Sequence, residues 1–207
     1  MQSTDLLLVI DVQNDFLPGG ALAVPRGGEV IDVINRLGRR FPNVLLTQDW
    51  HPAGHVSFAS SHAGRRPFDT IELPYGSQVL WPDHCVQGAP GAQIAAALDL
   101  PHAQGVIRKG YHAHTDSYSA FLEADRVTPT GLAGMLRERG IERVFLCGLA
   151  LDFCVAWSAL DARGAGFEAV VIEDACRPID TGGSLQAAHA SFAAQGVQRA
   201  QTADLAG

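Results

Sequence analysis

The chain has 207 residues, 47% hydrophobic and 18% charged, which suits one globular domain with a full core, here taken as residues 1–207. No run approaches the ~18 apolar residues of a membrane helix, and a formal net charge of -7 without a basic cluster beyond Arg39-Arg40 and Arg65-Arg66 argues against nucleic acid as a partner. Four cysteines without a C-x-x-C pair suit a reducing cytoplasm rather than a disulfide scaffold.

The N-terminus, MQSTDLLLVIDVQNDF, has no basic n-region and an acid interrupts its apolar run. It reads as a first strand at 6–10 rather than as a signal peptide. A turn-rich connection at 20–27 leads to a helix over 28–40, with apolar residues Val30, Ile31, Ile34 and Leu37 at helical spacing. A second strand at 44–47 runs toward Asp49. The stretch 49–90 shows no helix, and loops that long in compact domains are usually functional. It has room for a small hairpin, 71–73 with 78–80, around Pro74-Tyr75-Gly76. Then come a short Ala-rich helix at 91–98 and a third strand at 105–108. Thr128 as N-cap with Pro129 after it opens a helix to about 139. A fourth strand at 143–149, a helix at 152–163 ended by Gly164, a fifth strand at 168–172, a helix at 183–195 and a last strand at 197–202 complete the chain. Alternating strand and helix means an α/β domain with a parallel sheet and helices on both faces.

In such sheets ligands bind beyond the carboxyl ends of the strands. Strand one ends at Asp11, strand two at Asp49, strand three at Lys109, and strand four leads to Cys154. Taken singly each has a plain role: Asp11 as a cap, Lys109 as a surface charge, Cys154 as core. Together they form a nucleophilic set. Cys154 lies in the first turn of a helix, where the dipole lowers a thiol pKa, and a nearby lysine and carboxylate serve the thiolate and its proton. The stretch Gly148-Leu149-Ala150 before it, small at Gly148 and Ala150, suits an oxyanion-binding turn. Asp49 and His51 share one face of a strand end, with His55 and His84 further on. Asp with imidazoles suits zinc, iron or manganese. His62, His102 and His189 read as solvated, His112 and His114 as loop histidines. Phe16, Trp81 and Tyr118 are core aromatics by default and a flat-ring pocket as the second reading.

DVQNDF at 11–16, DWHP at 49–52, WPDHCVQG at 81–88, KG at 109–110 and GLALDFCV at 148–155 resemble nicotinamidases, of the isochorismatase-like cysteine hydrolases. The resemblance implies a three-layer α-β-α fold, a six-stranded parallel sheet flanked by helices. It implies hydrolysis of nicotinamide, the small-molecule partner, to nicotinate and ammonia, with pyrazinamide also accepted. Asp11, Lys109 and Cys154 fall on the catalytic triad. Asp49, His51 and His84 fall on the ligands of one divalent metal, zinc first, iron or manganese as alternatives. Ala150 and Cys154 fall on the oxyanion hole, with a cis peptide expected at Leu149-Ala150. Phe16, Trp81 and Tyr118 fall on the ring-binding positions. His55 matches an extra ligand or an outer residue in some members. Leu151 stands where Thr is frequent in the family. A homo-oligomer and a cytoplasmic location complete the expectation. The rival readings are a metal-free amidohydrolase of the same fold acting on ureido or carbamoyl substrates, and a catalytically silent binding module.

Overall fold

A computed structural model describes residues 1–205. The first strand, β1 (Asp5–Ile10), is buried at every residue, so both faces of the sheet it lies in are covered. After a turn-rich loop the chain forms α1 (Val30–Gly38), which buries Val30, Ile31, Ile34 and Leu37, the stripe that the apolar spacing predicts. Then follow β2 (Asn43–Asp49), the hairpin strands β3 (Thr70–Leu73) and β4 (Gly76–Val79), β5 (Val106–Lys109) and α2 (Leu132–Glu138). The rest is β6 (Arg143–Leu149), α3 (Ala156–Gly164), β7 (Glu168–Arg177), α4 (Ser184–Gln195) and β8 (Gln198–Ala200).

Six strands form one sheet in the order β5-β2-β1-β6-β7-β8. Every pairing in it is parallel. The helices flank it: α1 packs on β6 and β7, and α3 packs on β7 and on α4. From β1 the chain runs outward through β2 to β5. From β6 it runs outward the other way. The strand order therefore reverses between β1 and β6, and a crevice opens at their carboxyl ends. No helix among the described residues is long and apolar enough to cross a membrane.

Three expectations are corrected. The Ala-rich stretch 91–98 is not a helix. It holds one 3-10 turn, Pro90–Ala92, and then pairs with the chain beyond β1: Gln13 bridges Ile94, and the Ala95 N–H donates to the Val12 carbonyl at 2.9 Å. Tertiary pairing overrides helix propensity here. Thr128 does not cap a helix. Its N–H and hydroxyl both donate to Asp125, and α2 starts later, after Gly131. The turn before α3 is wider than an α-turn: Leu151–Val155 form a π turn. Smaller shifts are one of end position. Strand five runs on to Arg177, and the last strand is only three residues, followed by a 3-10 turn at Thr202–Leu205.

Candidate active site

At the carboxyl end of β1 the backbone turns sharply. Asp11 has φ 48°, which is rare for a residue with a side chain. The turn sends its carboxylate under the crevice, fully buried. Thr47, on the neighbouring β2, donates its hydroxyl to Asp11 Oδ1 at 2.5 Å and accepts the Asp11 N–H at 3.0 Å. Asp11 Oδ2 has no donor in hydrogen-bond geometry, although Lys109 Nζ lies 2.9 Å away. This oxygen keeps a free lone pair.

Lys109 ends β5 and is fully buried. Its ammonium donates to Asp49 Oδ1 at 2.5 Å and to the Ser117 carbonyl at 2.9 Å, and reaches Cys154 Sγ at 3.5 Å. Burial disfavours its charge, but Asp11 and Asp49 outweigh burial and hold it protonated well above the usual lysine range. Carboxylate oxygens of Asp11 and Asp49 and the Cys154 sulfur lie within 4.8 Å of one another.

Cys154 sits in the π turn. The Ala150 carbonyl accepts from the N–H groups of Phe153 (3.2 Å) and Val155 (3.1 Å), bonds that straddle Cys154. The peptide Leu149-Ala150 is cis, as the resemblance implies. Gly148 has φ 114°, and a Cβ there would stand 2.1 Å from the Ile10 carbonyl oxygen. Only glycine lets β6 run this close to β1 at the point where both strands deliver their functional residues. The expectation of a lowered thiol pKa is overturned. Burial pushes the Cys154 thiol well above its ordinary value; Lys109 opposes this, while Asp11 and Asp49 add to it. This environment favours the neutral thiol over the thiolate. Burial likewise raises the Asp11 carboxyl, with Lys109 opposing and Asp49 adding. The acid and the thiol are thus shifted in the same direction by the same first cause, their burial.

Asp49 divides its two oxygens. Oδ1 takes Lys109, and Oδ2 faces His51 Nε2 at 3.6 Å and His84 Nε2 at 3.8 Å. The other ring nitrogens are committed: His51 Nδ1 pairs with the Gly110 carbonyl and His84 Nδ1 with the Pro82 carbonyl, both at 2.8 Å. A carbonyl only accepts, so each Nδ1 carries the hydrogen and each Nε2 is left as a lone pair. One carboxylate oxygen and two imidazole lone pairs converging in a buried pocket fit a divalent cation, with the outer bonds that ligating histidines usually have. Burial opposes positive charge on His51, yet Asp49 outweighs it and raises the ring, the same field that would favour a cation held between these side chains. Against the cost of its own burial, Asp49 is held well below the usual carboxylate range by Lys109 and His51.

Local packing shows why these motifs spell as they do. Gln13 donates to the Asp49 carbonyl (2.8 Å) and accepts the Asp49 N–H (2.8 Å), so it clamps the end of β2. Asp15 accepts the Cys85 N–H at 2.7 Å and so docks the loop that carries His84. Gly110 has φ 66°, and a Cβ there would meet the His51 ring at 2.5 Å.

The crevice holds a narrow, partly open cavity. Asp49, His51 and His84 line it. Ala150 and Cys154 line it too, as do Phe16, Trp81 and Tyr118. Asp11 and Lys109 lie beneath its floor. All sequence-proposed site residues are therefore brought together. His55 is buried beside His51, ring centroids 4.3 Å apart, but both its nitrogens are engaged. Nδ1 meets Ser57 Oγ at 2.7 Å, and Nε2 meets the His112 and Thr115 carbonyls at 3.1 and 3.2 Å. Burial and the neighbouring His51 hold its ring down at about 4. It braces the loop after β5 from outside the cavity lining. His112 and His114 are exposed, and His112 pairs with Glu123. His62 and His189 are half-buried rather than solvated.

Sequence reasoning missed Phe153, Asp116 and Asp152. Phe153 and Asp116 line the cavity. The Asp152 carboxylate accepts from the N–H groups of Ile179 and Asp180 and from Ser184 Oγ, so it anchors the turn that carries Cys154. Its place directly after Leu151 in GLALDFCV was the available signal. Leu151 itself is buried in the core, and the polar bonding of the turn comes from Asp152.

The isochorismatase domain family matches residues 5–204. A nicotinamidase of Acinetobacter baylyi is 60% identical over 93% of this chain and 90% of its own. A solved nicotinamidase and pyrazinamidase of Acinetobacter baumanii superposes with TM-score 0.98 at 56% identity over 99% of both chains. A pyrazinamidase of Pyrococcus horikoshii, solved in complex with zinc, has TM-score 0.78 at 35% identity over 96% of this chain and 99% of its own. The chain belongs to the isochorismatase family.

Proposed function

We propose that the protein hydrolyses nicotinamide to nicotinate and ammonia, with Cys154 as nucleophile, Asp11 as general base and acid, and Lys109 holding both in register. Nicotinamidases at high identity over nearly the whole chain support the substrate. One observation carries the mechanism: a carboxylate oxygen of Asp11 and the ammonium of Lys109 are buried against the Cys154 sulfur, which itself lines the cavity.

Asp11 Oδ2 takes the thiol proton as sulfur attacks the carboxamide carbon. The carbonyl electrons move onto oxygen, which the Ala150 and Cys154 N–H groups receive. Asp11 returns the proton to nitrogen, the C–N bond breaks and ammonia leaves a thioester on Cys154. Asp11 then deprotonates a water that attacks the thioester, the C–S bond breaks to release nicotinate, and Asp11 returns the proton to the departing Cys154 sulfur, restoring the thiol. Lys109 stays charged throughout and offsets the negative charge that passes between Asp11 and sulfur. Asp49, His51 and His84 would hold the metal, zinc first by this donor set and by the zinc in the Pyrococcus relative. When bound it supplies Lewis acidity for a ring-nitrogen lone pair and so orients the pyridine. Phe16, Trp81 and Tyr118 enclose the ring faces and edges. The isochorismatase domain, matched over residues 5–204, is the unit that carries this activity, and the cytoplasm is the compartment this reading assigns to it.

The test is kcat/KM for five amides at saturating metal. Nicotinamide and pyrazinamide keep a ring nitrogen meta to the carboxamide carbon and are turned over well. Benzamide lacks it, and picolinamide and isonicotinamide misplace it; a site built on one polar contact rejects such analogues by up to about 10⁴-fold. Benzamide turned over as well as nicotinamide would show that the ring nitrogen is not read.

A further inference from the structure

The hairpin of β3 and β4 shares no strand with the main sheet, and a lone two-stranded hairpin is marginal in water. Its residues are exposed or half-buried except one, and that one is polar: Gln78, 2% exposed. Its amide nitrogen faces the Val79 carbonyl at 2.7 Å, Asp116 Oδ2 at 2.8 Å and the Tyr118 hydroxyl at 3.1 Å. Its amide oxygen accepts from Tyr75 at 3.0 Å. Two pure acceptors, a carbonyl and a carboxylate, fix which end is nitrogen.

The Tyr118 hydroxyl also accepts from Trp81 Nε1 at 3.0 Å. Trp81, Tyr118 and Phe153 form three sides of a box, with ring centroids 5.0 to 6.3 Å apart. Aromatic contacts are tolerant of rotation and sliding, whereas hydrogen bonds are directional. The relay from Asp116 through Gln78 to Tyr118 and Trp81 is what gives this wall a fixed orientation. Gln78 itself does not line the cavity.

We infer that Gln78 is a positioning residue for the aromatic wall and thereby sets the affinity of the site for flat six-membered aromatic amides; this rests on the amide-hydrolase reading above. It acts on binding rather than on the bond broken, because its partners Tyr118 and Asp116 line the cavity and neither belongs to the set of Asp11, Lys109 and Cys154.

The experiment compares wild type, Gln78→Met, Tyr118→Phe and the double variant, each metal-loaded. Readouts are KM and kcat for nicotinamide, metal content, Tm, and Trp81 emission with Trp50 and Trp157 replaced by Phe. Gln78→Met is expected to raise KM by about tenfold, the cost of one buried polar partner, with kcat within about threefold and metal content unchanged. Trp81 emission should shift with no ligand present. Because Gln78 works through Tyr118, the KM effects of the two single variants should not multiply in the double. An unchanged KM with a lowered Tm would overturn the inference and leave Gln78 as a hairpin staple. Full multiplication in the double would overturn it too. If Gln78→Met does not fold, Tyr118→Phe alone carries the test: unchanged KM and unshifted emission would sink it. Failure of the function reading looks different: wild type releases no ammonia from nicotinamide, yet Trp81 emission still shifts in Gln78→Met.

Discussion

Replacing Asp11 by Asn separates catalysis from stability, because the two should move in opposite directions. The amide keeps the oxygen that accepts from Thr47, so the turn at φ 48° retains its anchor. What it loses is the lone-pair oxygen facing the thiol. Loss of a general base costs about 10²–10⁴ in rate, or about 2.7–5.4 kcal/mol of barrier at ~1.36 per decade. The upper end is expected here. Asp11 is fully buried, so water does not substitute for it, and the next carboxylate, Asp49, has one oxygen taken by Lys109 at 2.5 Å. Stability runs the other way. Burial raises the Asp11 carboxyl above its ordinary value of 3.8. The folded state then binds this proton more tightly than the unfolded state does. The group favours folding below the ordinary value, and that contribution falls as pH rises through and beyond it, so at neutral pH the charge is a net cost. Asn removes the cost, while Lys109 retains Asp49 and the Ser117 carbonyl. The assays are kcat by ammonia release and Tm by calorimetry at pH 7. The expected result is near-complete loss of turnover with Tm equal or higher. A variant within about tenfold of wild-type kcat would remove Asp11 as the base. A Tm several degrees lower would show that its charge supports the fold.

Asp49→Ala should strip metal from the purified protein, read by elemental analysis. It should also destabilise by roughly 3 kcal/mol through the loss of one partner of buried Lys109, with Asp11 limiting the damage. Retention of a full complement of metal would exclude the Asp49, His51, His84 set. Gly148→Ala drives a methyl into the Ile10 carbonyl at φ 114°, so it should cost more than about 1 kcal/mol and depress kcat along with Tm. A variant with native kcat and Tm would show that β6 has slack at this register. Asp5, whose burial is outweighed by bidentate bonds from Arg143 and the Gln2 N–H, lies below its ordinary 3.8. Its contribution, about 1–2 kcal/mol for a charged pair with one half-exposed partner, is present above that value and is lost as pH falls through the depressed one. Denaturation of Asp5→Asn and wild type should therefore differ at pH 7 and converge in acid; a constant gap would refute the linkage.

The sequence by itself determined the layered α/β order, because strands buried on both faces write continuous apolar runs and α1 writes its stripe at Val30, Ile31, Ile34 and Leu37. It also determined which residues gather, since the carboxyl ends of parallel strands share one edge, and Asp11, Asp49, Lys109 and the turn to Cys154 all fall there. Tertiary structure decided what no local pattern holds. The stretch 91–98 reads as helix until Gln13 and Val12 claim its backbone. Thr128 reads as a cap until Asp125 claims its donors. Cys154 reads as an activated thiolate at a helix start, but its protonation is set by burial and by charges from β1, β2 and β5, far away in the chain. Gln78 and Asp116 carry no motif of their own, and even Asp152, inside GLALDFCV, shows its role only through partners; these lie some 27 to 38 residues distant. Periodicity reports what a residue's own segment buries. The charges, donors and acceptors that meet it across the fold depend on packing, and packing alone assigned them.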